Sequence, residues 1–269
     1  MFKIGIVGGT GKTGIQFARF FKSKGYEVFI SHYRLSKARR IAKKEGLKAL
    51  TNEELMKKCN VVFFSVPIFK TEQTIKQLAP LANASALLSD LTSLKEMSVK
   101  AMLKYSNPNV EVIGLHPMFG PAVPINGQNI VVVPGKGKKF IPWIRQVFKG
   151  SKLIFSTAEE HDKMMTVVQC LVHFPSITTA MAMKRLKVNL AKVEKFSTPV
   201  YRERIETIRR VLSQTPELYG DIEMYNSHSG KAIDAFIQSN NELWTIIKGK
   251  RRSKFADLYK ELADYYKKS

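Results

Sequence analysis

The chain is poor in cysteine and in acid: two cysteines, and 22 Asp+Glu against 44 Lys+Arg, in 269 residues. Cys59 and Cys170 stand apart in apolar helical surroundings, with no CxxC pair or His/Cys cluster, so neither a disulfide framework nor a structural metal is expected. No apolar run approaches the ~20 residues of a membrane span. Met1 to Gly8 enters a core strand without the basic and apolar regions of a signal peptide. These absences point to a cytoplasmic protein with no membrane partner. The shortage of acid leaves a formal charge of +22, which would suit a nucleic-acid binder with Lys248 to Lys254 as its footprint. Most of the excess, such as Lys37, Arg39, Arg40, Lys43 and Lys44, instead reads as a solvated helical face. No aromatic-interleaved basic patch accompanies it, so nucleic acid is not the expected partner; the same field would draw in small polyanions.

The chain does contain an alternation of short apolar runs and helical stretches up to Ser156. Strands are expected at Lys3 to Gly8, Glu27 to Ser31, Asn60 to Pro67, Ala86 to Leu91, Val110 to His116, Asn129 to Pro134 and Lys152 to Phe155. Continuous apolar strands separated by helices imply an α/β fold with a doubly wound, mostly parallel sheet covered on both faces. From Thr157 the pattern is helical: Glu159 to Leu186, with a kink expected at Pro175, then Val200 to Ser213, Glu217 to Asn226, Lys231 to Ile247 and Phe255 to Tyr266. Ser156 and Thr157, each followed three residues later by Glu159 or Glu160, offer overlapping capping boxes. Two domains follow, 1–156 and 157–269. The broad apolar helical faces of the second, with Met164, Met165, Met181, Met183 and Trp244, suit a homodimer interface.

Lys3 to Thr10 feeds a turn in which Gly9, Gly11 and Gly14 fit G-x-G-x-x-G. In that pattern Gly9 permits the tight turn, Gly11 lets the backbone approach a pyrophosphate and Gly14 packs the helix on the strand. Thr10 and Thr13 belong to the same cofactor-binding loop, and Ser65 and Pro67, at the end of the third strand, are counted with it. Gly11-Lys12-Thr13 imitates the tail of a P-loop, but the glycine that motif needs five residues earlier is Ile6. The loop also resembles the Gly-Gly-Thr-Gly loops of some archaeal NADP-dependent reductases. An NAD enzyme of this kind carries Asp or Glu at the end of the second strand. No acid occurs from Val28 to Lys44, whereas Ser31 and Arg34 could bind a 2′-phosphate, so NADP is expected over NAD.

Residues 114 to 121 read Gly-Leu-His-Pro-Met-Phe-Gly-Pro. The prolines around His116 suggest that its imidazole is delivered to a strand-end loop rather than buried in the sheet. With Asp90-Leu91-Thr92-Ser93-Leu94-Lys95, Glu160-His161-Asp162, Gln169 to Phe174 and Pro199-Val200-Tyr201-Arg202 in this order, the whole chain resembles the prephenate dehydrogenases, a family that includes arogenate dehydrogenases. The resemblance implies a Rossmann-like domain and an all-helical C-terminal dimerisation domain. It also implies NAD- or NADP-dependent oxidation of prephenate, with loss of carbon dioxide, to 4-hydroxyphenylpyruvate in tyrosine biosynthesis.

Carried over by motif, His116 is the catalytic histidine on the ring hydroxyl and Ser93 holds it and touches the same region of substrate. His173 is a second active-site histidine and Arg210 binds a substrate carboxylate. Without the family, Ser93 reads as a cap for a helix beginning near Lys95, His173 as a core histidine, and Arg202, Arg204, Arg209 and Arg210 are equivalent. His161 reads as structural, paired with Glu159 and Glu160. Lacking a chorismate mutase or ACT-like segment, the chain is expected to be monofunctional. Prephenate is expected over arogenate because Gln169 to Phe174 offers no anion to an ammonium group. Two other readings are arogenate dehydrogenase and a non-catalytic, basic Rossmann-like protein that binds nucleotide or RNA.

Overall fold

The computed structural model describes residues 2–267. Its strands are β1 (Lys3–Val7), β2 (Glu27–Ile30), β3 (Lys48–Ala49), β4 (Val61–Phe64), β5 (Leu87–Asp90), β6 (Glu111–Pro117), β7 (Asn129–Lys136) and β8 (Lys152–Phe155). Between them run α1 (Lys12–Ser23), α2 (Leu35–Glu45), α3 (Asn52–Lys58), α4 (Ile68–Leu78), α5 (Glu96–Tyr105) and α6 (Ile141–Val147). After the last strand come α7 (Ala158–Met165), α8 (Leu171–Arg185), α9 (Leu190–Glu194), α10 (Pro199–Leu212), α11 (Pro216–Tyr225), α12 (Ser229–Lys248) and α13 (Arg252–Lys267).

The strands form one sheet in the order β3-β2-β1-β4-β5-β6-β7-β8. Every pair is parallel except β6 with β7, where the short connection from Pro117 to Asn129 cannot house a crossover helix. Burial on both faces follows from the strands' own sequences. In β4, Val61 and Phe63 join the cluster of Phe17, Phe21 and Phe148 on one face, while Val62 and Phe64 join Leu55, Met56 and Met102 on the other. β3 and α9 were not expected from the sequence. Two residues of strand and a five-residue helix are too short to carry a periodic signal.

Two compact units result: the chain up to Met165 together with Leu212–Asn226, and Thr166–Val211 together with the chain from Ser227. The sheet ends near the expected boundary at 156, yet α7 and α11 pack with it. Side-chain caps anchor both helices. The Asp162 carboxylate accepts the Lys95 and Glu96 backbone N–H groups (2.8 and 2.9 Å) and so caps α5, and Asp221 accepts that of Phe69 at the start of α4 (3.1 Å). Asn226 Nδ2 donates to the Asp162 carbonyl at 2.9 Å.

At the entry to α7, Thr157 is the cap, its hydroxyl accepting the Glu160 N–H at 3.1 Å, while Ser156 donates to the Glu160 carboxylate. Pro175, where a kink is expected, lies inside α8. The helix widens upstream, into a π turn at Thr166–Cys170, and continues through Pro175. A proline ring crowds the carbonyl four residues before it, here Leu171, directly after the widened turn. The run Ala158–Arg185 also corrects the reading of apolar length, since its 28 residues hold an 18-residue window of mean hydropathy 1.2, long and apolar enough to cross a membrane by length and composition alone. It nevertheless carries the buried Asp162 and His161, which are tied to α5 and to the sheet.

Candidate active site

Parallel strands β1, β4, β5 and β6 end on one edge of the sheet, and the order in which strands are added reverses between β1 and β4, the position at which such sheets bind ligands. The glycine loop emerges there. Its left-handed residue is Gly8 (φ +73°), not Gly9 as the motif suggested, and a Cβ on Gly8 would lie 2.7 Å from the Ser65 carbonyl oxygen. Gly9 is needed for a different reason, its close approach to Ile30 and to the Ile6 carbonyl. Gly14 behaves as expected: a Cβ there would meet Gly9 Cα at 2.8 Å. At Gly11 the nearest atom is 3.7 Å from such a Cβ, so the loop surface is open at this point. α1 begins after Gly11 without a side-chain cap or an acidic residue in its first turn, which leaves its first N–H groups for an anion. Thr10 and Thr13 are half-buried beside them. Ser65 flanks the loop, its N–H donating to the Val7 carbonyl, and Pro67 is exposed at the start of α4. These features fit a dinucleotide pyrophosphate.

At the end of β2, Ser31 is fully buried and its hydroxyl has no hydrogen-bond partner among the described residues. Arg34 is exposed. Its guanidinium donates to the Tyr33 hydroxyl (2.7 Å) and lies 5.1 Å from that ring's centroid, while its backbone N–H donates to His32 Nδ1 (3.0 Å). Burial, and then the nearby Lys37, holds the His32 imidazole below its ordinary range.

On β6, four strands along the sheet from β2, His116 departs from its expected loop position. It is a ladder residue of β6 opposite Val131, and only 4% exposed. Its Nδ1 lies 2.8 Å from Nε2 of His161, whose Nδ1 lies 2.6 Å from Asp162 Oδ1. His161 is therefore not paired with Glu159 and Glu160. Glu159 pairs with Lys163 one helical turn on, and Glu160 with Ser156 and Thr157, because α7 turns those carboxylates outward and His161 inward. Beneath this chain lies a fully buried Lys95, whose ammonium binds Asp90, the Thr92 hydroxyl and the Leu115 carbonyl (2.9 Å). Desolvation pulls Lys95 below the usual lysine range, while Asp90 opposes it. His116 is held well below the ordinary histidine value by burial first, and then by His161 and Lys95. These influences favour the neutral imidazole. Ser93 is half-buried on the loop between β5 and α5, and its hydroxyl makes no hydrogen bond among the described residues. It does not cap α5; Asp162 does.

The other two expected residues belong to the second unit. His173 is buried on α8 and Arg210 is exposed in the last turn of α10, beside an Arg209 paired with Glu194 at 3.5 Å.

Residues 17–134 match the family model described as the prephenate dehydrogenase nucleotide-binding domain, and residues 157–261 that of the prephenate dehydrogenase dimerization domain. A T-protein of Haemophilus influenzae is 32% identical over 98% of the chain and 67% of its own length. The chain belongs to the prephenate dehydrogenase family. A "Probable arogenate/prephenate dehydrogenase" of Methanocaldococcus jannaschii is 36% identical over 98% of the chain and 60% of its own length. The chain thus spans about three fifths to two thirds of the length of these relatives. The same fold is seen in prephenate dehydrogenase from A. aeolicus in complex with hydroxyphenyl propionate and NAD+, with a TM-score of 0.78, 20% identity and coverage of 97% and 96% of the two chains. An arogenate dehydrogenase of Synechocystis has a TM-score of 0.73 at 20% identity, over 96% of each chain.

His161, Asp162, Lys95 and Gly8 escaped the sequence reading. A visible signal existed for the first two: on a helix, a histidine and aspartate adjacent in sequence and followed by Met165 can share one buried edge, as all three do here.

Proposed function

We propose that the protein is a prephenate dehydrogenase. The observation that carries this reading is a buried, neutral His116 on the sheet edge from which the glycine loop also emerges, in a chain of this family. A neutral imidazole can accept the proton of the ring hydroxyl as hydride departs from the same carbon. Bound nicotinamide supplies the hydride acceptor. Loss of the ring carboxylate as carbon dioxide then leaves 4-hydroxyphenylpyruvate. Ser93 is assigned to the hydroxyl region of substrate, His173 to a second substrate contact, and Arg210 to a carboxylate, for which a forked guanidinium is the better cation. The apolar surface of the helical unit supports a homodimer, and the family model's dimerization domain points the same way. The protein is assigned to the cytoplasm.

NADP is the preferred cofactor in this proposal. Arg34 is exposed where an NAD enzyme would place an acid, and no acid lies between Val28 and Lys44. Ser31, enclosed by its neighbours, is left out of the phosphate contacts. Prephenate is preferred to arogenate, whose ammonium finds no acid between Gln169 and Phe174. Following reduced-nicotinamide absorbance with each substrate and each cofactor tests all three statements. Absence of turnover in every combination overturns the activity. A kcat/KM favouring NAD, or an Arg34→Ala enzyme with undiminished NADP affinity, overturns the cofactor preference. A kcat/KM for arogenate equal to that for prephenate overturns the substrate preference.

A further inference from the structure

His161 has no assigned role, yet it is 2% exposed and its ring nitrogens face the candidate base on one side and a carboxylate on the other. Asp162 is itself immobilised. Its two oxygens accept the Lys95 and Glu96 N–H groups at the start of α5, so its position is tied to a helix end and not to a flexible side chain. Lys95 in turn holds the Leu115 carbonyl, one residue before His116. Both rings are thus fixed from the same point in the fold.

With Asp162 ionised and His161 neutral, the two contacts set which nitrogen carries which proton. An ionised carboxylate only accepts, so the hydrogen between His161 and Asp162 sits on His161 Nδ1. A neutral His161 then has a bare Nε2, and the hydrogen in the 2.8 Å contact to His116 must come from His116 Nδ1. In the neutral ring that leaves His116 Nε2 with its lone pair free.

We propose that His161, held by Asp162, is a positioning residue that selects the Nδ1–H tautomer of His116 and so presents Nε2 as the base. The proposal rests on His116 being the base of the oxidation. In that step the hydroxyl O–H bond breaks, the new N–H bond forms at Nε2, and the hydride leaves the same carbon for the nicotinamide. Without an acceptor at position 161, nothing fixes the tautomer, and the ring with its proton on Nε2 cannot take another there.

Two substitutions separate this from a packing role. His161→Gln keeps a side-chain carbonyl able to accept from His116 Nδ1, whereas His161→Leu removes any acceptor. The Gln enzyme is expected to keep kcat within about tenfold of the parent, and the Leu enzyme to lose about a hundredfold or more, with the KM for NADP unchanged in both. Imidazole 15N spectra of the unliganded parent, assigned by comparison with a His116→Asn sample, give a readout that does not depend on turnover. A protonated Nδ1 and a bare Nε2 on His116 are expected near neutral pH. A bare Nδ1 with a protonated Nε2 overturns the proposal, as does a folded Leu enzyme with parental kcat or a Gln enzyme as impaired as the Leu one. If the parent turns over neither prephenate nor arogenate, the functional reading fails while the 15N result still decides the tautomer.

Discussion

At the scale of single residues, the imidazole of His116 is shaped by burial and by two neighbours that sequence distance conceals. Burial, His161 and Lys95 all disfavour its charged form. A base must be neutral to work, and activity is lost as pH falls through its folded pKa. Since that value lies well below 6.5 in the free protein, kcat/KM should stay level on acidification past pH 6.5 and fall only at lower pH. A pH profile whose midpoint lies at or above 6.5 would contradict this. His116→Asn should leave NADP affinity intact and reduce kcat by about a hundredfold or more, the usual worth of a general base. Parental kcat in that variant would remove His116 from the chemistry. Arg210→Gln should act on the other kinetic constant, raising the KM for prephenate several-fold or more because a carboxylate partner is lost. An unchanged KM would assign the carboxylate to another cation.

At the scale of elements, the glycine loop separates folding from binding. Gly8 is held in left-handed backbone against the Ser65 carbonyl, so Gly8→Ala should cost about 1–3 kcal/mol of stability. A Cβ at Gly11 would make only an ordinary contact, 3.7 Å from the Gly8 carbonyl oxygen, so Gly11→Ala should keep the parental Tm and weaken NADP binding. Thermal melts with and without NADP check both, and equal loss of Tm in the two variants would refute the division of roles. Element existence was legible where the pattern is local. The strand at Lys152–Phe155 was read with its observed limits, and the helices expected from Val200 and Glu217 begin one residue earlier, at Pro199 and Pro216. The π turn was not legible, because the same residues satisfy a 3.6-residue period until Pro175 forces the backbone to accommodate its ring.

At the scale of the whole molecule, the helical unit is short of partners for its apolar side chains. α13 buries no residue, and Trp244, Ile247, Tyr259 and Leu262 are exposed on α12 and α13. A homodimer would cover them. Light scattering of the parent should give twice the 30.5 kDa chain mass, and Trp244→Glu should shift it toward the monomer. A monomeric parent at all concentrations would overturn the assembly.

The sequence by itself determined the class of fold and the glycine loop after the first strand, because strand period and glycine spacing are local patterns fixed by neighbouring residues. Only the tertiary structure decided what surrounds them. His116 and His161 are 45 residues apart in the chain, and Lys95 and Asp162 are 67 apart. No local period encodes such pairings. They exist because α5, α7 and β6 converge on one buried polar cluster, whose members must satisfy one another once water is excluded.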